Sequence, residues 1–496
     1  MGVIQSHSIR SSLVIMVGFV FGAFNMLVLA PKFLGAELLG LTRVISDAGI
    51  TLATLATFGS IPVIYKFFPF YKSYLSKEKN DLPFITGLIC LAGFGIVCLT
   101  GWLADDLIVR KYSERAPLFV QYKWLVYPFC FFMMCFMWLE SFAWSFQKSV
   151  LSNALREILP RVFFSVLMGL FITALISVDG FVFLFSFSYI LPVIILFFVL
   201  RGTGSFLFNK QISPVTNRLG NRMVNFGLFI FGAHFLNLLS RTIDTFILAA
   251  KGDRGLVDTA VFTIATYIVT LMEVPQRSIN SVTIPILAEA WKDRNMSRIS
   301  SIYKKSVETM MVIGLGMFSL MWLNVHNLAS FLGKDFSGIE LVVLFMGIGK
   351  LFDLCTGANG LIIGTSSYWK VDFLTNVIYT VIALPLNYFL ISYFGLMGAA
   401  YSGLISIVLF NLMRLLFLYF KFGMQPYTLR SLATVLTVAV LVLIVYQIPK
   451  QPNFIVDTVI RSSVFFLFFI PAIYFIKTSE EVNALISKYL KKVTGK

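Results

Sequence analysis

Three pairs of opposite charge hold most of the chemistry this chain offers: Arg241 with Asp244, Glu273 with Arg277, and Lys350 with Asp353. The members of each pair stand three or four residues apart, a spacing that puts both side chains on one face of a helix. All six sit in apolar surroundings, where an ionisable group is costly unless it meets a partner or water. Each pair therefore either neutralises itself during insertion or lines a wet cavity, and three pairs in one half of the chain favour a lining. Lys350 and Asp353 fall nearest the middle of their apolar stretch. The glycines beside them (Gly347, Gly349, Gly357, Gly360, Gly364) suit close helix packing. Arg414 lies nearer a helix end and either snorkels to the headgroups or faces a cavity. Glu140 has no nearby cation in sequence and is either a cross-helix partner or a titrating group. Asp47, close to a helix end, reads as interfacial.

Covalent chemistry is harder to place. No D-x-D, H-E-x-x-H, G-x-S-x-G or Walker pattern occurs in a supporting context. The five cysteines lie apart in apolar stretches and the three histidines are scattered, which argues against a metal or redox centre. The chain is expected not to be an enzyme and to hold no cofactor, although proton or sodium coupling is compatible with its carboxylates.

The elements that position these charges are apolar. Hydrophobic residues make up 58% of the 496, Phe occurs 52 times, and 13% are charged. A bilayer core about 30 Å thick takes about 20 helical residues, and on that measure about fourteen stretches span, from 12–30 and 44–65 through 223–249 (helix seven), 373–392 and 397–419 to 455–476. The expectation is an all-α polytopic membrane protein. It has two pseudo-repeated six-helix bundles (1–222 and 223–428), a helix pair (429–478) and a tail (479–496). Transporters are often built from such repeats. The least secure spans are 159–176 and 180–200, which only three residues separate.

Lysines and arginines gather in alternate loops, among them Lys66, Lys72, Lys148, Arg156, Arg218, Lys304 and Lys421. The positive-inside rule then places both termini in the cytoplasm and the chain in the cytoplasmic (inner) membrane. The net charge of +16 is spread over helix ends, which fits anionic headgroups and not nucleic acid. Beyond Thr478 the apolar residues share one helical face and lysines occupy the rest, an amphipathic helix on the cytoplasmic leaflet with a capping box from Thr478 to Glu481. The stretch 287–302 reads as a second interfacial segment. Prolines 62, 128, 192, 275 and 385 interrupt their spans as bends.

The segment 351–418 resembles the C-terminal half of the polysaccharide-biosynthesis flippases, which export lipid-linked oligosaccharides of the O-antigen type in bacteria. The residues that carry the likeness are Gly357-Ala358-Asn359-Gly360-Leu361-Ile362-Ile363-Gly364-Thr365-Ser366, Tyr368-Trp369-Lys370, Leu386-Asn387-Tyr388 and Gly395-Leu396-Met397-Gly398-Ala399-Ala400. Pro31, Leu34-Gly35, Glu37, Leu39-Gly40-Leu41 and Arg241-Thr242-Ile243-Asp244 agree in the first half and in helix seven. The larger superfamily includes multidrug exporters and the lipid II flippase. Helix one departs from both: it has no arginine cluster, and Asn25 stands where many proton-coupled drug exporters have an aspartate.

The resemblance implies alternating access and an undecaprenyl-pyrophosphate-linked oligosaccharide as cargo. Its other partners would be membrane lipids and polysaccharide-assembly proteins. On that reading Arg241, Arg277, Lys350 and Arg414 contact the headgroup, while Glu140, Asp244, Glu273 and Asp353 support them or couple an ion. Two other functions remain open, an ion-coupled small-molecule or multidrug exporter and an intramembrane glycan polymerase. The outward loop around 104–123 is short for a polymerase.

Overall fold

The computed structural model describes residues 17–494, with the side chains of 233, 234, 237, 241, 278, 281, 369 and 489–494 outside the description. Among the described residues the chain is helical and has no strand. Contacts divide it into two units, 1–260 and 261–496.

The first unit begins with α1 (Val17–Phe33), which contains a π-helical turn at Asn25–Leu29. Then come α2 (Gly35–Ala56), α3 (Ser60–Tyr74), α4 (Leu82–Leu103), α5 (Asp105–Tyr112), α6 (Pro117–Tyr122) and α7 (Val126–Ser145). They are followed by α8 (Ser149–Glu157), α9 (Leu159–Ile172), α10 (Val178–Phe185), α11 (Ile190–Arg201) and α12 (Pro214–Lys251). The helix α13 (Leu256–Thr270) runs across the division. The second unit holds α14 (Glu273–Lys292), α15 (Met296–Leu332), α16 (Ile339–Cys355), α17 (Asn359–Thr365), α18 (Trp369–Phe422), α19 (Leu429–Tyr446), α20 (Phe454–Ile476) and α21 (Glu480–Thr494).

Eight of the described helices are long and apolar enough to cross a membrane, or up to ten if each of two bent pairs is one span. One of the eight covers most of α18, whose 54 residues break at Gly395 (φ 53°, ψ −129°) between the expected spans 373–392 and 397–419. The reversal there is tight. A Cβ on Gly398 would lie 2.0 Å from the carbonyl oxygen of Leu390, so only glycine fits.

Four of the five flagged prolines stand at a helix start. Pro62, Pro128, Pro192 and Pro275 each sit in the first turn of a helix that starts two residues earlier, and at Pro275 that helix is bent by 47° from the one before it. Amides in a first turn have no intrahelical acceptor, so proline removes nothing there. The expected span 44–65 is accordingly two helices, separated at Thr57–Gly59, where Phe58 (φ 42°) and Gly59 (φ 77°) are left-handed. Only Pro385 lies inside a long helix.

Aromatic side chains fill the first core, where Phe67, Phe68, Phe136, Phe142 and Phe206 are buried together with Tyr71. In the second, Ile299, Tyr303, Val307, Leu418 and Phe465 pack together. Lipid tails are as apolar as these side chains, so the helices are held by close packing and by hydrogen bonds between them. One such junction fixes the start of α12. Asp81 accepts hydrogen bonds from the Ser213 amide and the Thr216 hydroxyl, both at 2.8 Å, and Tyr71 meets that same hydroxyl at 2.6 Å.

Two peripheral expectations change. Residues 287–302 form no separate segment; they are the end of α14, a short turn and the start of α15. At α21 the cap is Ser479, whose hydroxyl accepts from the Val482 amide at 3.3 Å, while the Thr478 hydroxyl bonds Thr434. Glu481 accepts from Thr309 at 3.2 Å, and Val482 and Ile486 pack on the second core. Removing 482–496 deletes that cover but leaves Thr478 and Ser479 in place. A drop of a few degrees in apparent melting temperature is expected, with appreciable transport once expression is matched. Complete loss of transport in properly inserted protein would contradict it.

Candidate functional site

In the second unit the two sequence pairs join into one network. Lys350 Nζ lies 2.8 Å from Asp353 Oδ2, 3.2 Å from Glu273 Oε1 and 3.1 Å from Gln276 Oε1. Arg277 holds the other Glu273 oxygen at 2.9 Å. Asp353 Oδ1 accepts from Asn411 Nδ2 at 2.9 Å, and Asn411 Oδ1 accepts from Thr356 and Asn359, each at 3.0 Å. One turn further along α18, Arg414 pairs with Asp372, lies 3.9 Å from the Phe410 ring centroid and packs against Gly360. Arg414 is thus held across the helices instead of reaching the headgroups. Three cations (Arg277, Lys350, Arg414) meet three carboxylates (Glu273, Asp353, Asp372), so the ribbon is neutral while Arg277 remains exposed at its end.

The first unit places the remaining expected residues. Glu140 is 4% exposed and has found the cross-helix partner its sequence neighbours lack: Arg156 Nη1 on α8 donates to Oε2 at 2.9 Å. Its Oε1 has no hydrogen-bond partner among the described residues. Arg156 lines a cavity of about 490 Å³ together with Tyr65, Met133, Met137, Pro62, Phe231 and Leu238. Four of those six are Met, Leu and Phe, and Tyr65 stacks on Trp144 at 5.6 Å between centroids. Among the described residues the cavity has a mostly apolar wall, the hydroxyls of Thr54, Thr57 and Tyr65, and one guanidinium.

Arg241 lies on α12, and its side chain falls outside the described residues. Asp244 is half-buried on the same helix, and its Oδ1 has no partner among the described residues. Asp47 is not interfacial. It is 4% exposed and takes hydrogen bonds from Arg43 Nε and Thr245 Oγ1, both at 2.7 Å. Asn25 donates its amide to the Arg161 carbonyl at 2.8 Å and accepts from Ser165 at 2.7 Å. A carboxylate at that position could not make the first bond.

Sequence reading missed Arg156, Asp372 and the pair Arg461–Asp457. Arg156 counted only as a loop cation, and Asp372 sits 42 residues from its partner. The i,i+4 spacing of Asp457 and Arg461 is the signal that would have found the third.

A family model described as MatE matches residues 230–389. Among solved structures the chain is similar to the lipid II flippase MurJ in an inward closed conformation. The identity is 14% and the TM-score 0.69, over 93% of this chain and 98% of that one. It is also similar to an inward-facing multidrug resistance MATE family transporter of the MOP superfamily, at 16% identity and a TM-score of 0.61, over 83% and 98%. A third is a MOP superfamily transporter from Pyrococcus furiosus, at 13% identity and a TM-score of 0.54, over 85% and 96%. No curated protein sequence matches. The chain is a multi-pass membrane protein. Its fold is that of the lipid II flippase and MATE transporter structures just described, and the resemblance to flippases read from its sequence fits that fold.

Proposed function

We propose that this protein is a flippase that carries an undecaprenyl-pyrophosphate-linked oligosaccharide across the cytoplasmic membrane by alternating access, in cell-surface polysaccharide biosynthesis. The observation that carries the reading is the cavity of the first unit. The guanidinium it holds among the described residues, Arg156, suits a phosphate oxygen because arginine offers a charged fork of donors, and its Met, Leu and Phe wall suits the start of an isoprenoid chain. Supporting it, the MurJ structure that this chain resembles is that of a lipid II flippase. The neutral ribbon around Lys350 is a second polar surface, with Arg277 as its exposed end.

The test is a proteoliposome assay with a fluorescent undecaprenyl-pyrophosphate oligosaccharide and an external lectin. Wild type is expected to expose the glycan faster than empty vesicles, and Arg156→Gln to slow it at least about tenfold, the effect of losing roughly 1.4 kcal/mol at a charge-assisted contact. Failure of the wild type to move the glycan would sink the reading.

A second reading, an ion-coupled multidrug exporter, draws on the MatE match over 230–389 and on Asp244, whose Oδ1 meets no partner among the described residues. Efflux of organic cations in place of glycan in the same vesicles would favour it.

We also propose six spans in each repeated half, 1–222 and 223–428, two further spans in 429–478, and both termini in the cytoplasm. Reporter fusions after Lys77, Arg218 and Lys304 should then all report cytoplasm. A reproducible periplasmic signal from any of the three would overturn the topology.

A further inference from the structure

Glu140 and Arg156 form a pair whose two members face different surroundings. The carboxylate is 4% exposed, whereas the guanidinium side chain is 40% exposed and lines the cavity. Only Oε2 of Glu140 is engaged, and Oε1 meets no hydrogen-bond donor among the described residues. A buried carboxylate with half its acceptor capacity empty is held in place largely by its single cation. If an incoming anion takes that cation, the carboxylate is left in an apolar core with nothing to balance it, a state that burial strongly disfavours. The least costly response is to bind a proton.

Resting on the reading of this cavity as a headgroup site, we propose that Arg156 is exchanged between Glu140 and a phosphate oxygen of the ligand, and that Glu140 takes up one solvent proton when one anionic phosphoryl group takes its cation. The Arg156–Oε2 hydrogen bond breaks, an Arg156–phosphate hydrogen bond forms, and one carboxylate O–H bond forms. Charge balances. Before binding, the pair sums to zero; afterwards the guanidinium and phosphate sum to zero beside a neutral acid. A phosphodiester anion therefore enters a low-dielectric cavity without adding net charge to it.

The other titratable groups near Glu140 do not supply the proton's alternative home. Tyr65 on α3 and Tyr189 before α11 are phenols, neutral at physiological pH. Glu157 on α8 is paired with Arg161 at 2.9 Å, and on α2 Arg43 and Asp47 are closed on each other at 2.7 Å. The helix α4 has cysteines and no charged residue, and α11 has only Arg201 at its end. Glu140 is the acid left without a partner when Arg156 turns to the ligand.

The probe is a citronellyl methyl phosphodiester, whose phosphate does not titrate between pH 5 and 9. Its binding to the purified full-length protein is followed by calorimetry in buffers of different ionisation enthalpy. Wild type is expected to take up close to one proton per probe. Because the complex then binds more protons than the free protein, affinity falls as pH rises, by up to about tenfold per pH unit. Glu140→Gln is expected to bind at least as tightly, with no proton uptake and a flat pH profile, and Arg156→Gln to lose binding. Binding to wild type that depends on Arg156 but takes up no proton would overturn the exchange and leave the headgroup reading standing. Absence of binding to wild type would overturn both. Should Glu140→Gln fail to fold, the proton count on wild type alone decides the exchange.

Discussion

Lys350→Met is expected to destabilise the second unit by roughly 3–5 kcal/mol, the cost of removing one partner from a buried ionic network. Among the described residues its ammonium is the only cation shared by Glu273 and Asp353, and with Gln276 it joins α14 to α16. Methionine keeps the length of the stem but leaves Asp353 with amide donors alone and Glu273 with Arg277 alone. Unfolding of a large membrane protein is commonly irreversible, so the readout is the half-life of the monodisperse protein at raised temperature. Neutralising the buried members, as Lys350→Met with Glu273→Gln and Asp353→Asn, should recover most of the loss, because the one charge left without its partner, Arg277, is exposed. Equal half-lives for wild type and the single variant would show that the network contributes nothing. The triple variant also tests the site. Glycan export at the wild-type rate would mean that Lys350 and its partners are structural and that the ligand is held elsewhere.

Arg461→Leu should cost a similar amount, for a different reason. Arg461 is 4% exposed and Asp457 2%, yet each side-chain nitrogen and oxygen of the pair has a partner. Arg461 binds Asp457 at 2.7 Å and donates to the carbonyls of Val445 at 3.2 Å and Ile448 at 2.7 Å, closing the C-terminus of α19. Asp457 in turn accepts from Asn327 at 2.8 Å and from the Gln451 amide at 2.9 Å. Leucine fills the space but strands one carboxylate and two carbonyls, for about 3 kcal/mol or more. Limited proteolysis of the 447–453 turn should accelerate by at least about a hundredfold if cleavage follows the open population. Adding Asp457→Asn should restore part of the protection, since it removes the charge but not the two open carbonyls. Unchanged proteolysis in Arg461→Leu would refute the clamp.

The sequence made some of this readable because its signal is local. Helix-length apolar runs, the break near Gly395 and the i,i+3 and i,i+4 charge pairs all lie within one or two turns of chain, and local spacing is what periodicity reports. The junction of those pairs was out of reach. Gln276 and Lys350 are 74 residues apart, Asp372 and Arg414 42, and only tertiary register brings them together. Arg156 was obscured by its own position. Counting it among loop cations was consistent with the charge bias, but α8 turns its side chain back into the first unit, toward Glu140 on α7. Prolines misled in a different way, because a first-turn proline and a kinking proline look alike until the helix start is known.

The pairing of every cation in the second-unit ribbon has an electrical consequence. A charge displaced through the full membrane potential exchanges about 2.3 kcal/mol per 100 mV. Arg277, Lys350 and Arg414 move with Glu273, Asp353 and Asp372, so motion of this ribbon as a body displaces no net charge and produces no gating current of its own. The voltage sensitivity of a transport cycle would then come from the cargo and from any proton or ion that travels with it, and the ribbon would leave the field across the bilayer free to act on them.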